Sequence, residues 1–172
     1  MAETARDLVV EPLARAHRRA AFRSGEPTLD RYLERQAGQD VRRRANGVFV
    51  LRRADDDGPA RDVLGYYTLC ATALAPGDVP EAARRHVPRY PLVSATLLGR
   101  LAVALDVQGG GLGGVLLGDA LCRAARTAET VGACMVVADA IDDGAAEFYA
   151  AHGFVRLPDG PRMVLPMRMI AA

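Results

Sequence analysis

The clearest chemical signature in the sequence is the run Gln108–Gly114, in which five of seven residues are glycine. An apolar segment typical of a buried strand, Thr96–Leu105, precedes the run, and apolar residues at helical spacing follow it from Leu112. A strand, a glycine turn and a helix in that order direct unpaired backbone N–H groups and the positive end of the helix dipole at one point. Glycine suits such a turn because it permits positive φ and close approach of a ligand. The run therefore predicts a cradle for a diphosphate.

Two familiar glycine motifs do not account for this run. A phosphate-binding P-loop needs a lysine followed by serine or threonine, and the sequence contains no lysine. The dinucleotide-binding spacing is met by Gly109–Gly114, but the run lies past the middle of the chain and no complete βαβαβ half follows it. A simple glycine-rich turn without a ligand is the remaining structural alternative.

Length and composition predict a single domain spanning residues 1–172. Half of the residues are hydrophobic, which is enough for a substantial core. The sequence shows neither a signal-peptide pattern nor an apolar stretch long enough to span a membrane, so we expect a cytoplasmic protein. Three cysteines in apolar runs, without close Cys or His partners, indicate reduced core residues rather than a disulfide framework or a metal site; they are Cys70, Cys122 and Cys134.

The formal net charge is only +1, but all 22 basic residues are arginine and several are clustered. Arginine binds phosphate with paired donors and stacks on bases, which suits RNA. The alternative is an arginine-rich solvated surface without a ligand. The candidate substrate-binding arginines are Arg42, Arg43, Arg44, Arg84, Arg85, Arg89 and Arg100.

Hydrophobic periodicity and turn residues predict an α/β chain. The predicted strands are Leu8–Val10, Val48–Leu51, Val63–Leu74, Thr96–Leu105, Ala133–Ala140, Phe154–Leu157 and Arg162–Ile170. The predicted helices are Pro27–Arg44, a short one near Glu81–Arg85 in a proline-rich loop, one from Leu112, and one capped by Asp142 or Asp143 that runs to His152. This order predicts a mixed sheet flanked by helices.

Two segments resemble the GCN5-related N-acetyltransferases. Gln108, Gly111 and Gly113 match the pattern Gln/Arg-x-x-Gly-x-Gly/Ala of the coenzyme A pyrophosphate loop in that family. Phe148-Tyr149, followed by Gly153-Phe154, resembles the segment that flanks the acyl site. The resemblance implies a mixed central sheet of six to seven strands with about four flanking helices.

A narrower resemblance covers nearly the whole chain. The segments Phe22–Leu33, Gln36–Gln39, Leu98–Val103 and Arg162–Met167 are similar to the acetyltransferase toxins of bacterial toxin–antitoxin pairs. The resemblance implies acetyl transfer from acetyl-CoA to the α-amino group of aminoacyl-tRNA, which blocks translation. It also implies a ribbon-helix-helix antitoxin as partner, and a homodimer is expected.

The resemblance assigns roles to individual residues. Tyr149 would be the general acid, and the backbone of Leu101, Ala102 and Val103 would pair with the pantetheine arm. The pyrophosphate would be held by Gln108, Gly109, Gly110, Gly111, Leu112, Gly113 and Gly114. The sequence departs from the family pattern at positions that are often acidic, basic or Gln, namely Ala104, Leu105, Asp106, Val107 and Gly110. Any RNA contact made at those positions elsewhere is not expected here.

The chemistry is consistent with an α-amino acceptor. A phenol of pKa about 10 stays protonated at neutral pH and can protonate a departing thiolate whose thiol has a pKa of about 8.5. At pH 7 about one-tenth of an α-amine of pKa about 8 is free base, against roughly one part in 2,500 of a lysine. An α-amine therefore needs little help from a base, and no carboxylate or histidine stands out as one.

Three hypotheses follow from the sequence. The first is a tRNA-acetylating toxin. The second is an N-acetyltransferase that acts on a small-molecule, peptide or protein amine. The third is a module that binds coenzyme A without catalysis.

Overall fold

The computed structural model describes residues 7–170, and these contain a seven-stranded mixed sheet. The strands are β1 (Leu8–Pro12), β2 (Gly47–Arg53), β3 (Gly65–Leu74), β4 (Val93–Val103), β5 (Met135–Asp139), β6 (Val155–Arg156) and β7 (Arg162–Pro166). The α-helices are α1 (Pro27–Arg31), α2 (Ala37–Arg43), α3 (Glu81–Arg84), α4 (Leu112–Thr130) and α5 (Asp143–Ala151). Since a π-helical turn joins α1 to α2, the helical segments number four, and the predicted α/β architecture is confirmed.

Hydrogen-bonded neighbours in the sheet follow the order β1-β2-β3-β4-β5-β7-β6. The pairs β1–β2, β2–β3, β5–β7 and β6–β7 are antiparallel, whereas β4 and β5 are parallel. Parallel neighbours need a crossover connection, which α4 supplies here. The glycine run therefore follows the carboxyl end of a parallel strand, where open α/β sheets commonly bind ligands.

The chain divides into two compact units, and the first contains residues 7–69 and 100–120. Its core is a cluster of buried apolar and aromatic side chains from the first helical stretch and from β2, β3 and β4: Phe22, Tyr32, Leu33, Ala37, Val48, Val50, Val63, Tyr66, Ala102 and Ala104. The spacing of Leu29, Tyr32, Leu33, Ala37 and Val41 predicts one apolar helical face. Tyr32, Leu33 and Ala37 lie in this core and Leu29 packs against it, whereas Val41 is 38% exposed.

The predicted helix Pro27–Arg44 contains an irregularity that its sequence pattern does not indicate. Residues Tyr32–Gln36 form a π-helical turn, in which the Ala37 N–H donates to the Tyr32 carbonyl. The stretch ends at Arg44, whose φ of 57° places it in the left-handed region. The predicted bounds are therefore correct to within one residue.

The second unit contains residues 70–99 and 121–170. Its core comprises the apolar residues Leu74, Val79, Ala83, Val93, Ala95, Met135, Val137, Leu157 and Val164. Helix α5 begins as predicted, because the Asp142 side chain accepts a hydrogen bond from the Ala145 N–H at 2.8 Å. Gly153, with φ of 93°, follows the end of this helix.

Several strand bounds were predicted wrongly. The run Thr96–Leu105 was expected to be strand throughout, but β4 covers Val93–Val103 and Leu105–Val107 form a 3₁₀ turn. The apolar side chain of Leu105 predicts a buried strand residue, but Leu105 is 56% exposed. The last strand ends at Pro166, because Met167–Met169 turn into a 3₁₀ helix.

The cysteines are free, as predicted, but their burial was partly mispredicted. Cys122 is exposed on α4, and Cys70 and Cys134 are only half-buried. No helix within residues 7–170 combines the length and apolar character needed to cross a membrane.

Candidate active site

The glycine run forms a loop that leads directly into α4. Gly109 and Gly111 have φ of 83° and 84°, and a Cβ placed on either would meet no heavy atom within 4 Å. Glycine is therefore required at these two positions by backbone conformation rather than by crowding. The first-turn amides of α4 have no intrahelical acceptor, because the Val115 N–H is the donor that reaches back to the Gly111 carbonyl, at 3.3 Å. Exposed amides at a helix N-terminus can bind an anion.

Gln108 braces this loop through its side chain. Its Nε2 donates to the Ser24 carbonyl at 2.8 Å and to the Val103 carbonyl at 2.9 Å. Ser24 is held in turn by Asp30, whose Oδ1 accepts from the Ser24 N–H at 2.9 Å and from its Oγ at 2.6 Å. The sequence pattern gave Ser24 and Asp30 no role, since they lie far from the loop along the chain. Both residues belong to the segment Phe22–Leu33 that carries the narrower resemblance, but the sequence does not indicate that this segment contacts the glycine loop.

The backbone of β4 beyond its pairing with β5 offers an open edge. Paired residues of β4 run from Ala95 to Leu98. Successive strand residues direct their N–H and C=O groups to opposite edges. The Ala104 N–H donates to the Leu64 carbonyl on the β3 side, so Ala102 also faces β3, whereas Leu101 and Val103 face the opposite edge. The geometry thus favours Leu101 and Val103 over Ala102 for pairing with an extended ligand.

Tyr149 lies near the end of α5, and its ring is buried. The residue is 6% exposed, and its ring centroid is 5.3 Å from that of Phe154. Phe148 is only half-buried and packs on the His152 ring at 4.8 Å. Adjacent helix positions point about 100° apart, which is why the two rings differ in burial.

The hydroxyl of Tyr149 is distinguished from those of the other buried tyrosines. Tyr32 donates to Asp40, Tyr66 to the Leu29 carbonyl and Tyr67 to Asp119. No residue in the described range forms a hydrogen bond with Tyr149 Oη, yet this oxygen is not one of the fully enclosed unpaired polar atoms. It therefore keeps access to solvent or a ligand. Burial raises the pKa of Tyr149 to about 12, with a further contribution from the negative charge of Asp139.

The candidate substrate-binding arginines fall into separate groups. In the first unit, three exposed arginines end the first helical stretch: Arg42, Arg43 and Arg44. In the second unit, Arg84, Arg85 and Arg89 line one cleft of about 710 Å³, together with Tyr90. Arg100 is half-buried in β4, with its guanidinium carbon 3.6 Å from the centre of the Tyr32 ring.

Within residues 7–170, no cluster of three or more His, Cys, Asp or Glu side chains is arranged to hold a metal ion.

Comparison with known sequences gives clear relatives. No family model matches the chain. It is 37% identical over 141 residues to a tRNA-acetylating toxin of Mycobacterium tuberculosis (strain ATCC 25618 / H37Rv), which covers 82% of this chain and 80% of that protein. It is 32% identical over 171 residues to a protein of Sinorhizobium fredii (strain NBRC 101917 / NGR234) described as "Probable toxin TacT", which covers 94% of this chain and 92% of that protein.

Solved structures of toxins share the fold. AtaT complexed with acetyl-methionyl-tRNAfMet has a TM-score of 0.85 and 27% identity, over 95% of this chain and 97% of that chain. A tyrosine-to-phenylalanine mutant of AtaT, bound to acetyl-CoA and the C-terminus of the antitoxin AtaR, has a TM-score of 0.80 and 26% identity, over 95% and 96% of the two chains. Since the 37% identity to a tRNA-acetylating toxin extends over 82% of the sequence, this chain belongs to the tRNA-acetylating toxins of the GCN5-related N-acetyltransferase family.

Proposed function

We propose that this protein transfers the acetyl group of acetyl-CoA to the α-amino group of aminoacyl-tRNA. Acetylation removes the nucleophilic amine that forms the next peptide bond, so translation stops. The observation that carries the proposal is Tyr149, a buried phenol whose hydroxyl has no hydrogen-bond partner in the described chain and keeps access to a ligand.

Acetyl-CoA would bind along the open edge of β4 and at the loop that follows it. The amides of the glycine run, from Gly109 to Gly114, would hold the pyrophosphate, supported by the α4 dipole. The backbone of Leu101 and Val103 would pair with the amides of the pantetheine arm, whereas Ala102 contributes packing to the core. Gln108 would act as a brace rather than as a direct ligand, because its amide is already bonded to Ser24 and Val103.

Tyr149 would complete the transfer as a general acid. The neutral amine attacks the thioester carbonyl, the tetrahedral intermediate collapses, and the C–S bond breaks to release a thiolate. Tyr149 donates its proton to the thiolate sulfur and recovers one from the acetylated nitrogen. A pKa of about 12 keeps this phenol protonated across the neutral range, so the donor form is always present.

The aminoacyl-tRNA would be attracted by the exposed arginines. Arg42, Arg43 and Arg44 in the first unit, and Arg84, Arg85 and Arg89 in the second, carry the charge for salt-dependent phosphate contacts. The exposed ring of Tyr90, beside the second group, adds a surface on which a base can stack.

The proposal also covers an antitoxin partner and a homodimeric assembly. AtaT is bound by the C-terminus of its antitoxin, which supports an antitoxin partner here, and we propose that it is a ribbon-helix-helix protein. We further propose a homodimer of single acetyltransferase domains spanning residues 1–172, acting in the cytoplasm, where charged tRNA is used.

The direct test supplies labelled acetyl-CoA with charged tRNA, free amino acids and peptides in parallel. We expect label on aminoacyl-tRNA, with alkali releasing an N-acetyl amino acid. Label on free amines or peptides alone would instead identify an acetyltransferase without an RNA substrate. Binding of acetyl-CoA without transfer to any acceptor would identify a binding module.

A further inference from the structure

Arg100 occupies an unusual position in β4. Its guanidinium carbon lies 3.6 Å from the centre of the Tyr32 ring, which is within the range of a cation–π contact. The residue is half-buried, and no atom of residues 7–170 accepts a hydrogen bond from its guanidinium. An arginine has five N–H donors, so most of the binding capacity of this side chain is unused.

Two other arginines of the first unit, Arg52 and Arg61, are engaged differently. Arg52, which is 8% exposed, donates to both carboxylate oxygens of Glu11, at 2.7 and 3.1 Å. Arg61 donates to the same carboxylate at 2.8 Å. Those guanidiniums fix the fold, whereas the fork of Arg100 remains open to a ligand.

The ring beneath Arg100 is held in place by a buried network. Tyr32 is 5% exposed, and its hydroxyl donates to Asp40 Oδ2 at 2.9 Å. Asn46 Nδ2 donates to the same oxygen at 3.0 Å. Burial opposes the charged form of Asp40, yet the hydrogen bonds from Asn46 and Tyr32 hold its pKa below the usual range. Because these hydrogen bonds hold the Tyr32 ring in place, the Arg100 guanidinium that lies over it is preorganised.

The position of Arg100 along β4 indicates which ligand group its guanidinium binds. This step rests on the proposed function, in which the pyrophosphate lies at the loop after the carboxyl end of β4 and the pantetheine arm runs back along Leu101 and Val103. The acyl group then lies toward Arg100, at the opposite end of the carrier from its pyrophosphate. Within the chain, the negative charge of Asp40 interacts with the Arg100 charge through space. The acceptor amine must approach this end, so a phosphate that reaches the Arg100 guanidinium from outside the chain belongs to the acceptor.

We propose that Arg100, stacked on Tyr32, binds the phosphate that links the terminal nucleotide of aminoacyl-tRNA to the preceding one. A planar guanidinium fork matches two phosphate oxygens, and a lysine at the same place would act only as a point charge. The contact fixes the terminal nucleotide, and with it the ester-linked amino acid, relative to the acyl group.

The test compares two acceptors, of which only one carries this phosphate. One is an aminoacyl-adenosine without phosphate, and the other is the aminoacyl dinucleotide in which a phosphodiester joins cytidine to that adenosine. For Arg100→Gln we expect KM for the dinucleotide to rise roughly 10- to 100-fold, as for loss of a charge-assisted bidentate contact, while kcat/KM for the aminoacyl-adenosine and KM for acetyl-CoA stay unchanged. Tyr32→Phe keeps the ring and loses only its bond to Asp40, so a smaller shift in the same direction is expected.

Controls make the outcomes distinguishable. Arg35→Gln removes an exposed charge from the same helical stretch and should affect both acceptors about equally. Arg100→Lys retains the charge, and thermal unfolding shows whether each variant is folded. Equal losses on both acceptors for Arg100→Gln would overturn the inference in favour of a structural role. A rise confined to KM for acetyl-CoA would assign the phosphate to the carrier and also overturn it. Wild-type protein that acetylates charged tRNA but neither short acceptor would show that contacts beyond this phosphate govern binding, and would overturn the inference alone. Wild-type protein that acetylates none of the three would overturn the proposed function as well.

Discussion

The glycine-loop region and the Tyr149 region differ in how their polar side chains are engaged. Around the loop, Gln108, Ser24 and Asp30 are linked to one another and to the backbone by hydrogen bonds of 2.6–2.9 Å. In the Tyr149 region, the ring is packed in the core while the hydroxyl has no hydrogen-bond partner in the described chain. Side chains that are hydrogen-bonded to one another stabilise the loop. The Tyr149 hydroxyl, which has no such partner in the described chain, is available to a reacting molecule. Substitutions in the two regions should therefore have different effects on stability and on activity.

The largest effect is expected from Tyr149→Phe. If the hydroxyl is reserved for chemistry, kcat for acetyl transfer should fall roughly 10²- to 10⁴-fold, as for loss of a general acid. KM for acetyl-CoA and thermal stability should hardly change, because no hydrogen bond within the described chain is lost. Tyr66→Phe is the matched control, since its hydroxyl bonds the Leu29 carbonyl. It should lose about 1 kcal/mol of stability and keep kcat. An unchanged kcat in Tyr149→Phe would remove this residue from the mechanism.

The raised pKa of Tyr149 predicts an alkaline loss of stability. Its folded pKa of about 12 exceeds the ordinary value of 10.0, so folding favours the neutral phenol. This contribution is fully present below pH 10 and is lost as pH rises toward 12; two pKa units correspond to about 2.7 kcal/mol. Urea unfolding of the wild type and Tyr149→Phe between pH 7 and 11.5 isolates it from other tyrosines. A stability difference between the two proteins that stays constant with pH would contradict the raised pKa.

The glycine loop is expected to respond through ligand affinity. Gly111→Ala forces a side chain into a φ of 84°, at a cost of about 1–2 kcal/mol, so the Kd for acetyl-CoA should rise roughly tenfold. Gly118→Ala, within α4 and in open space, is the control. It should leave acetyl-CoA affinity unchanged and stabilise the protein by about 0.5–1 kcal/mol. Isothermal titration calorimetry measures both affinities. Equal affinity in both variants would mean that the loop conformation is not used for binding.

The smallest effect is expected from Thr68→Val, which removes a hydroxyl that is neither hydrogen-bonded within the described chain nor accessible to a ligand. Thr68 Oγ1 is fully buried and has no hydrogen-bond partner among residues 7–170, so unlike Tyr149 Oη it cannot reach a ligand. Thr68→Val replaces the hydroxyl by a methyl group of similar size. The free energy of unfolding should rise by about 1 kcal/mol, with acetyl transfer unchanged. A loss of activity in a stable variant would show that this hydroxyl also has a function.

The sequence predicted the elements better than the contacts between them. Helical periodicity located α4, and the capping role of Asp142 was read correctly because both signals are local. The end of β4 was misplaced, since the apolar Leu105 resembles a strand residue but lies exposed in a turn. The glycine loop was recognisable because its two positions of positive φ, Gly109 and Gly111, lie close together in the sequence.

The hydrogen bonds that stabilise the glycine loop could not be predicted from the spacing of residues in the sequence. Gln108 and the Ser24 carbonyl are 84 positions apart, and the hydrogen bond between them depends on the path of the whole first unit. The same holds for Arg100 and Tyr32, whose stacking depends on which residues of a strand and a helix happen to face each other. Such pairs leave no periodic trace in a single sequence.

The π-helical turn at Tyr32–Gln36 limits how the first helical stretch can vary. A π-helical turn contains one more residue than an α-helical turn, so it accommodates an additional residue without rotating the helices on either side. Inserting or deleting a residue between Ala37 and Asp40 would instead rotate Asp40 by about 100° relative to Tyr32. Tyr32 and Asp40 could then no longer meet, and the platform under Arg100 would be lost. Side-chain exchange should therefore be tolerated in this segment more readily than any change in its length.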